Sequence, residues 1–101
     1  MQTALPITID REVIADFCKR NYIRKLSLFG SVLTDRFGPD SDVDMLVEFD
    51  REHIPGLFAL SGMEIELTEM LGRKVDLRTP GDLSRYFRDE VVRTALGLYA
   101  D

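Results

Sequence analysis

Apolar residues recur along this 101-residue chain with two different periods, and the switches between them mark out the elements. Between about Asp10 and Arg20, Val13, Ile14, Phe17 and Cys18 fall at helical spacing among Arg11, Glu12, Asp16, Lys19 and Arg20. This predicts an amphipathic helix, with Asn21 as a left-handed cap. Lys25 to Phe29 alternates briefly like a strand and stops at Gly30-Ser31. Val32 to Phe37 then reads as a short helix, broken by Gly38-Pro39. The clearest strand is Asp42 to Phe49, where Val43, Met45, Val47 and Phe49 share one face and Asp42, Asp44, Leu46 and Glu48 the other. From Leu57 to Leu71, Leu60, Met63, Leu67, Met70 and Leu71 return to helical spacing, and Gly72 is placed to end the helix. Lys74 to Arg78 alternates again, with Val75 and Leu77 on one side and Asp76 on the other. Thr79-Pro80-Gly81-Asp82 then supplies a capping hydroxyl, a proline at the first helical position and an acid at the third. A last, broken helical region is expected to run to about Leu98. The sum is an α/β chain, αβαβαβα, with helices on one face of the sheet and a polar surface on the other.

Length and composition bound what this architecture can do. Residues 1–101 fit a single small domain, with 45% apolar residues for one core and no room for a separate substrate-binding domain. The net charge of −5 argues against bulk nucleic-acid binding, which needs an excess of Lys and Arg to displace counterions from phosphates. Cys18 and His53 are the single cysteine and histidine. An intramolecular disulfide and a Cys/His zinc site are therefore excluded. His53 lies in the polar run Asp50-Arg51-Glu52-His53 with no Ser or Cys at an informative spacing, and reads as a surface residue. Cys18, beside Phe17, reads as a small core hydrophobe. The start Met1-Gln-Thr-Ala-Leu-Pro6 lacks the features of a secretory signal, and no 18 apolar residues run together, so a cytoplasmic setting with no membrane partner is expected.

Charge becomes informative once it is located. Residues 35–50 hold six acids and one base, so this segment alone carries a net −5 while the remainder of the chain is neutral. Asp42 and Asp44, two apart on a strand, project to one side with Cα atoms roughly 6–7 Å apart. Like charges so close repel unless a cation sits between them, a pattern that invites divalent metal. Two metal ions about 3.5–4 Å apart are the arrangement that clamps attacking and leaving oxygens in phosphoryl transfer. Asp76, on the polar side of its own strand, is the natural third carboxylate if the strands are neighbours. Gly30-Ser31, ending one strand and opening a helix, is where backbone N–H groups and a hydroxyl would cradle phosphates. An EF-hand-type calcium loop starting at Asp40 fails, because its sixth position is Met45 and its twelfth Arg51. Arg73, Lys74 and Arg78 flank Asp76 and are either triphosphate contacts or solvated strand ends. Tyr22, Tyr86 and Tyr99 are read as packing at the core edge rather than stacking on a base.

Gly30-Ser31, ten residues, Asp42-Val43-Asp44, and then Lys74-Val75-Asp76-Leu77 closely resembles the signature of the DNA polymerase β-like nucleotidyltransferase superfamily, and of its minimal nucleotidyltransferases in particular. The string from Phe29 to Phe49 is similar to that small family throughout. One departure is that many members continue Gly-Ser-x-Ala-Arg-Gly where this chain has Val32-Leu33-Thr34-Asp35. The resemblance implies the small nucleotidyltransferase fold with a short mixed sheet. It implies that Asp42 and Asp44 bind two Mg²⁺ ions, that Asp76 holds the catalytic ion and helps activate the acceptor hydroxyl, and that Gly30 and Ser31 hold the triphosphate of ATP. It further implies a protein adenylyltransferase that moves AMP onto a tyrosine of a partner HEPN-type ribonuclease toxin and so acts as an antitoxin. A non-catalytic module that neutralises its partner by covering it is the alternative. Modification of a small molecule, as by aminoglycoside nucleotidyltransferases, is disfavoured because their acceptor-binding C-terminal region is missing.

Overall fold

The computed structural model describes residues 5–101. Asp10 opens the first helix, α1 (Arg11–Arg20), where its carboxylate accepts the backbone N–H groups of Glu12 at 3.0 Å and Val13 at 3.3 Å. Ile14, Phe17 and Cys18 bury one side of this helix, as their spacing predicts. Its end differs from the expectation: Asn21 has φ −108°, and the left-handed residue is Tyr22 at φ +57°. The Asn21 side-chain amide donates back to the Phe17 carbonyl at 2.9 Å, which ties it to the last turn. Tyr22 is held from two sides, its ring stacked on His53 at 3.8 Å and its carbonyl accepting the Asp50 N–H at 2.9 Å. Such fixing offsets the roughly 1–3 kcal/mol that an unusual backbone conformation costs.

Four strands, β1 (Ile23–Phe29), β2 (Val43–Phe49), β3 (Val75–Arg78) and β4 (Leu96–Ala100), form one mixed sheet in the order β3-β2-β1-β4. β1 runs antiparallel to β2 and to β4, whereas β2 and β3 are parallel. The parallel pair is joined by α2 (Leu57–Leu71), which ends at Gly72 in the left-handed conformation, φ +68°. Val43, Met45, Val47, Leu26, Leu28, Val75, Leu77 and Leu98 turn one sheet face into a continuous core with Phe17 and Ile14 of α1 and Met63 and Leu67 of α2. The opposite face carries Asp44, Asp76 and Glu48. It is not wholly polar, because Ser27 and Leu46, register partners on this face, are also buried, and the 3₁₀ turn Pro80–Asp82 lies against β2. That turn has the expected cap, with Thr79 and Asp82 bonded reciprocally.

Two expected helices are corrected. Gly30 to Leu33 is a single 3₁₀ turn rather than the start of a helix to Phe37. It stops at Thr34, whose hydroxyl and N–H both donate to the Ser31 carbonyl, at 2.8 and 2.9 Å, while the chain turns extended. The last helical region is only α3 (Arg88–Thr94), and Leu96–Ala100 is strand β4 instead. Leu98 then points into the core beside β1, a burial that a helical continuation through Gly97 would forgo.

β3 is an edge strand, and α2 closes its free side. Thr68 Oγ1 accepts the Val75 N–H at 3.0 Å, and Glu64, one helical turn earlier, accepts the Leu77 N–H at 2.8 Å. Cys18 is fully buried, and burial pushes its thiol up to about 12, which makes it an inert core side chain. His53 is exposed, as expected, whereas Tyr86 is 85% exposed and does not pack at a core edge.

Candidate active site

The sheet register brings the three acids into one neighbourhood. Asp44 and Asp76 are Cα partners across the parallel β2–β3 pair, and Asp42 immediately precedes β2. Their side chains emerge on the face opposite the core because Val43, Met45, Val75 and Leu77 are all committed to the core side. Phe29, the last residue of β1, pairs with Asp44 on its other flank, so the chain passes from β1 into the 3₁₀ turn directly beside that carboxylate. Gly30 has φ +79°, and a Cβ there would collide with Asp44 Oδ2 and lie 3.3 Å from its Cγ. Glycine is needed at this position twice over, for its backbone conformation and for the closeness of the acid. Ser31 follows in the same turn, half-buried.

Electrostatics bind these residues into one system. Burial, then the charges of Asp76 and Asp42, hold the Asp44 carboxyl above the ordinary aspartate range, against an opposing pull from Arg78. Two basic side chains answer the other acids. Arg78 Nη2 donates to Asp76 Oδ2 at 3.0 Å, and Lys74 Nζ lies 3.7 Å from Asp42 Oδ2. Among the described residues, no three acidic, histidine or cysteine side chains converge as a ready-made ligand cage. The donors themselves, all carboxylate oxygens on one face with a net excess of negative charge, suit a hard divalent cation.

Arg73 is the residue that the sequence reading misplaced. It faces neither a phosphate cradle nor solvent alone: Nη2 donates to the carbonyls of Gly38 at 2.7 Å, Ser41 at 2.8 Å and Pro39 at 3.2 Å. Its guanidinium also lies over the Phe37 ring at 4.4 Å. No local sequence pattern signals contacts that span 32 to 35 residues.

The profile of the nucleotidyltransferase domain matches residues 10–97. The chain belongs to that family. Among its relatives, protein adenylyltransferase MntA of Thermococcus cleftensis is 37% identical over 70% of each chain. A Methanocaldococcus jannaschii chain provisionally named a protein adenylyltransferase is 31% identical over 87% of this chain and 91% of its own length. A solved minimal nucleotidyltransferase, so described provisionally, is 30% identical and superposes with a TM-score of 0.70, covering 85% of this chain and 86% of that one. Two more distant structures share the fold. One, a toxin–antitoxin complex with AMP-PNP, has a TM-score of 0.73 at 21% identity over 92% and 75% of the two chains. The other, a tri-AMPylated HEPN toxin with its MNT antitoxin from Shewanella oneidensis, has a TM-score of 0.65 at 22% identity over 90% and 70%. The expectation of a nucleotidyltransferase with the small mixed-sheet fold is met. None of the helices among the described residues is long and apolar enough to cross a membrane.

Proposed function

We propose that this single-domain chain is a cytoplasmic protein adenylyltransferase that moves AMP from ATP to a tyrosine hydroxyl of a HEPN-type toxin and thereby acts as its antitoxin. The observation that carries the reading is the register that sets Asp44 beside Asp76, with Asp42 two residues away and Gly30 against Asp44. Support for the substrate and partner comes from the relatives named protein adenylyltransferases and from the toxin–antitoxin complexes that share the fold. Asp42, Asp44 and Asp76 would hold two Mg²⁺ ions. When bound, these neutralise charge developing at the α-phosphate and on the leaving pyrophosphate.

The residues of the chain do the rest. Gly30 and Ser31 present the turn against which the triphosphate lies, and the missing Cβ of Gly30 lets the Asp44 carboxylate sit directly against that turn. The acceptor oxygen forms its bond to the α-phosphorus as the bond to the pyrophosphate oxygen breaks, and the acceptor proton passes to the Asp76 carboxylate. Arg78 donates to one Asp76 oxygen, Oδ2, which sets a positive charge beside the acid that takes the proton.

Incubation of the protein with labelled ATP, Mg²⁺ and the product of the neighbouring gene tests this reading. Label should move to that partner, and the double substitution Asp42→Asn, Asp44→Asn should abolish both transfer and neutralisation. If no label moves while the doubly substituted protein still neutralises its partner, the protein works by covering it instead.

A further inference from the structure

We propose that Arg73 is a positioning residue for Asp42: it fixes the loop from Phe37 to Ser41 so that the first acid of the site arrives already in place. The inference rests on the reading of Asp42, Asp44 and Asp76 as a cation site.

The loop enters β2 directly, and the side-chain hydrogen bonds that reach it from outside come from Arg73. Gly72, left-handed at φ +68°, ends α2 and turns the chain so that the next residue points toward the loop. One guanidinium nitrogen, Nη2, then takes the carbonyls of Gly38, Pro39 and Ser41, and the guanidinium carbon lies over Phe37. Phe37 is in turn packed against the core, so the clamp is anchored at both ends. Inside the loop, the Gly38 N–H donates to Ser41 Oγ at 3.0 Å and the Ser41 N–H to the Gly38 carbonyl at 3.1 Å. Immediately after Asp42, the Val43 N–H donates to the Lys74 carbonyl at 2.8 Å.

Asp42 is thus bracketed by two bonds, one from Arg73 to the residue before it and one from the residue after it to Lys74, adjacent on the chain to Arg73. A carboxylate that must hold a cation at a fixed distance from Asp44 gains affinity when its backbone is fixed beforehand, because less order remains to be imposed on binding. Lysine is a poorer fit than arginine here, since its single ammonium cannot lie over Phe37 and at the same time reach the three carbonyls that the extended guanidinium reaches.

Titration of the nucleotide-free protein with Mn²⁺, followed by the spin-resonance signal of the free ion, reads the effect without turnover. Arg73→Ala should weaken Mn²⁺ binding by about tenfold or more, within the roughly 10- to 100-fold range for residues that support metal ligands. The KM for ATP at saturating Mg²⁺ should stay unchanged. Arg73→Lys should not restore Mn²⁺ affinity. Phe37→Leu, which removes the ring beneath the Arg73 guanidinium but keeps an apolar side chain, should shift it in the same direction by less; if Arg73→Ala fails to fold, unchanged Mn²⁺ affinity in Phe37→Leu overturns the proposal. Unchanged Mn²⁺ affinity in a folded Arg73→Ala protein overturns the proposal, whether or not its melting temperature falls. So does a raised KM for ATP with Mn²⁺ affinity intact, which would put the guanidinium on the triphosphate. Asp42→Asn serves as the reference. If it too leaves Mn²⁺ binding untouched, the cation site itself is misread, a failure distinct from that of Arg73 alone.

Discussion

Replacing Asp44 with asparagine removes a charge while keeping the shape of the side chain, and it should stabilise the metal-free protein while abolishing transfer. Asp44 sits across from Asp76 and two residues from Asp42, so its neighbours' charges lie about 5–7 Å away. At about 6 Å, two like charges repel by roughly 0.7 kcal/mol in water and about 3 kcal/mol at an effective dielectric constant near 20. Arg78 offsets part of the Asp76 contribution, and solvent screens a half-exposed pair, so a net relief of about 1 kcal/mol is expected. For a chain of this length that corresponds to roughly 4–8 °C in melting temperature. The dependence on pH has a definite sign. Folding raises the Asp44 pKa above its ordinary 3.8, so the folded protein holds the proton more tightly than the unfolded chain. Its contribution to stability is complete below that ordinary value and is lost as pH climbs through the raised native one. Thermal unfolding in a chelating buffer should therefore show Asp44→Asn melting higher than the parent protein at pH 7, with the gap closing toward pH 3. Added Mn²⁺ should raise the parent protein more than the variant. A variant that melts lower at pH 7 without metal would refute the reasoning, because Asp44 would then be a structural acid with native partners.

Two further substitutions probe the frame around the acids. Gly30→Ala should cost about 1–2 kcal/mol for its left-handed backbone and, by displacing the Asp44 carboxylate, reduce AMP transfer on the order of 100-fold. Gly62→Ala, in open space on α2, should instead stabilise by about 0.5–1 kcal/mol and leave transfer unchanged, with unfolding curves and labelled-ATP assays reading both. Glu64→Ala should cost about 1–3 kcal/mol and speed hydrogen exchange at the Leu77 amide, while Glu64→Gln, which keeps an acceptor, should do much less.

What could be read from the sequence followed the range of the interactions involved. β2, α2 and β3 carry their own periodicity, and the positions of Asp42, Asp44 and Asp76 relative to Val43, Met45, Val75 and Leu77 fall out of strand alternation alone. β4 does not announce itself. Its five residues include Gly97, and they become a strand because the edge of β1 is there to receive them. Asn21 has the side chain usually favoured for a left-handed cap, yet its amide is drawn to Phe17, and the role passes to Tyr22 against His53. Arg73 was visible only as a base near an acid. Its three carbonyl partners lie on a loop far away in sequence, and carbonyls carry no residue-type signal.

The two α2 side chains that occupy the outer edge of β3 limit what can dock along that strand. Because Thr68 and Glu64 already take the N–H groups that a docking strand would need, a protein substrate gains no purchase by lying alongside β3 as a further strand. On the proposed reading, an acceptor would then have to reach Asp76 from the sheet face that carries the acids rather than along the strand edge. If the proposed protein acceptor is correct, recognition should depend on its folded shape rather than on an extended peptide sequence, and a short peptide carrying the same hydroxyl should be a poorer acceptor than the intact partner.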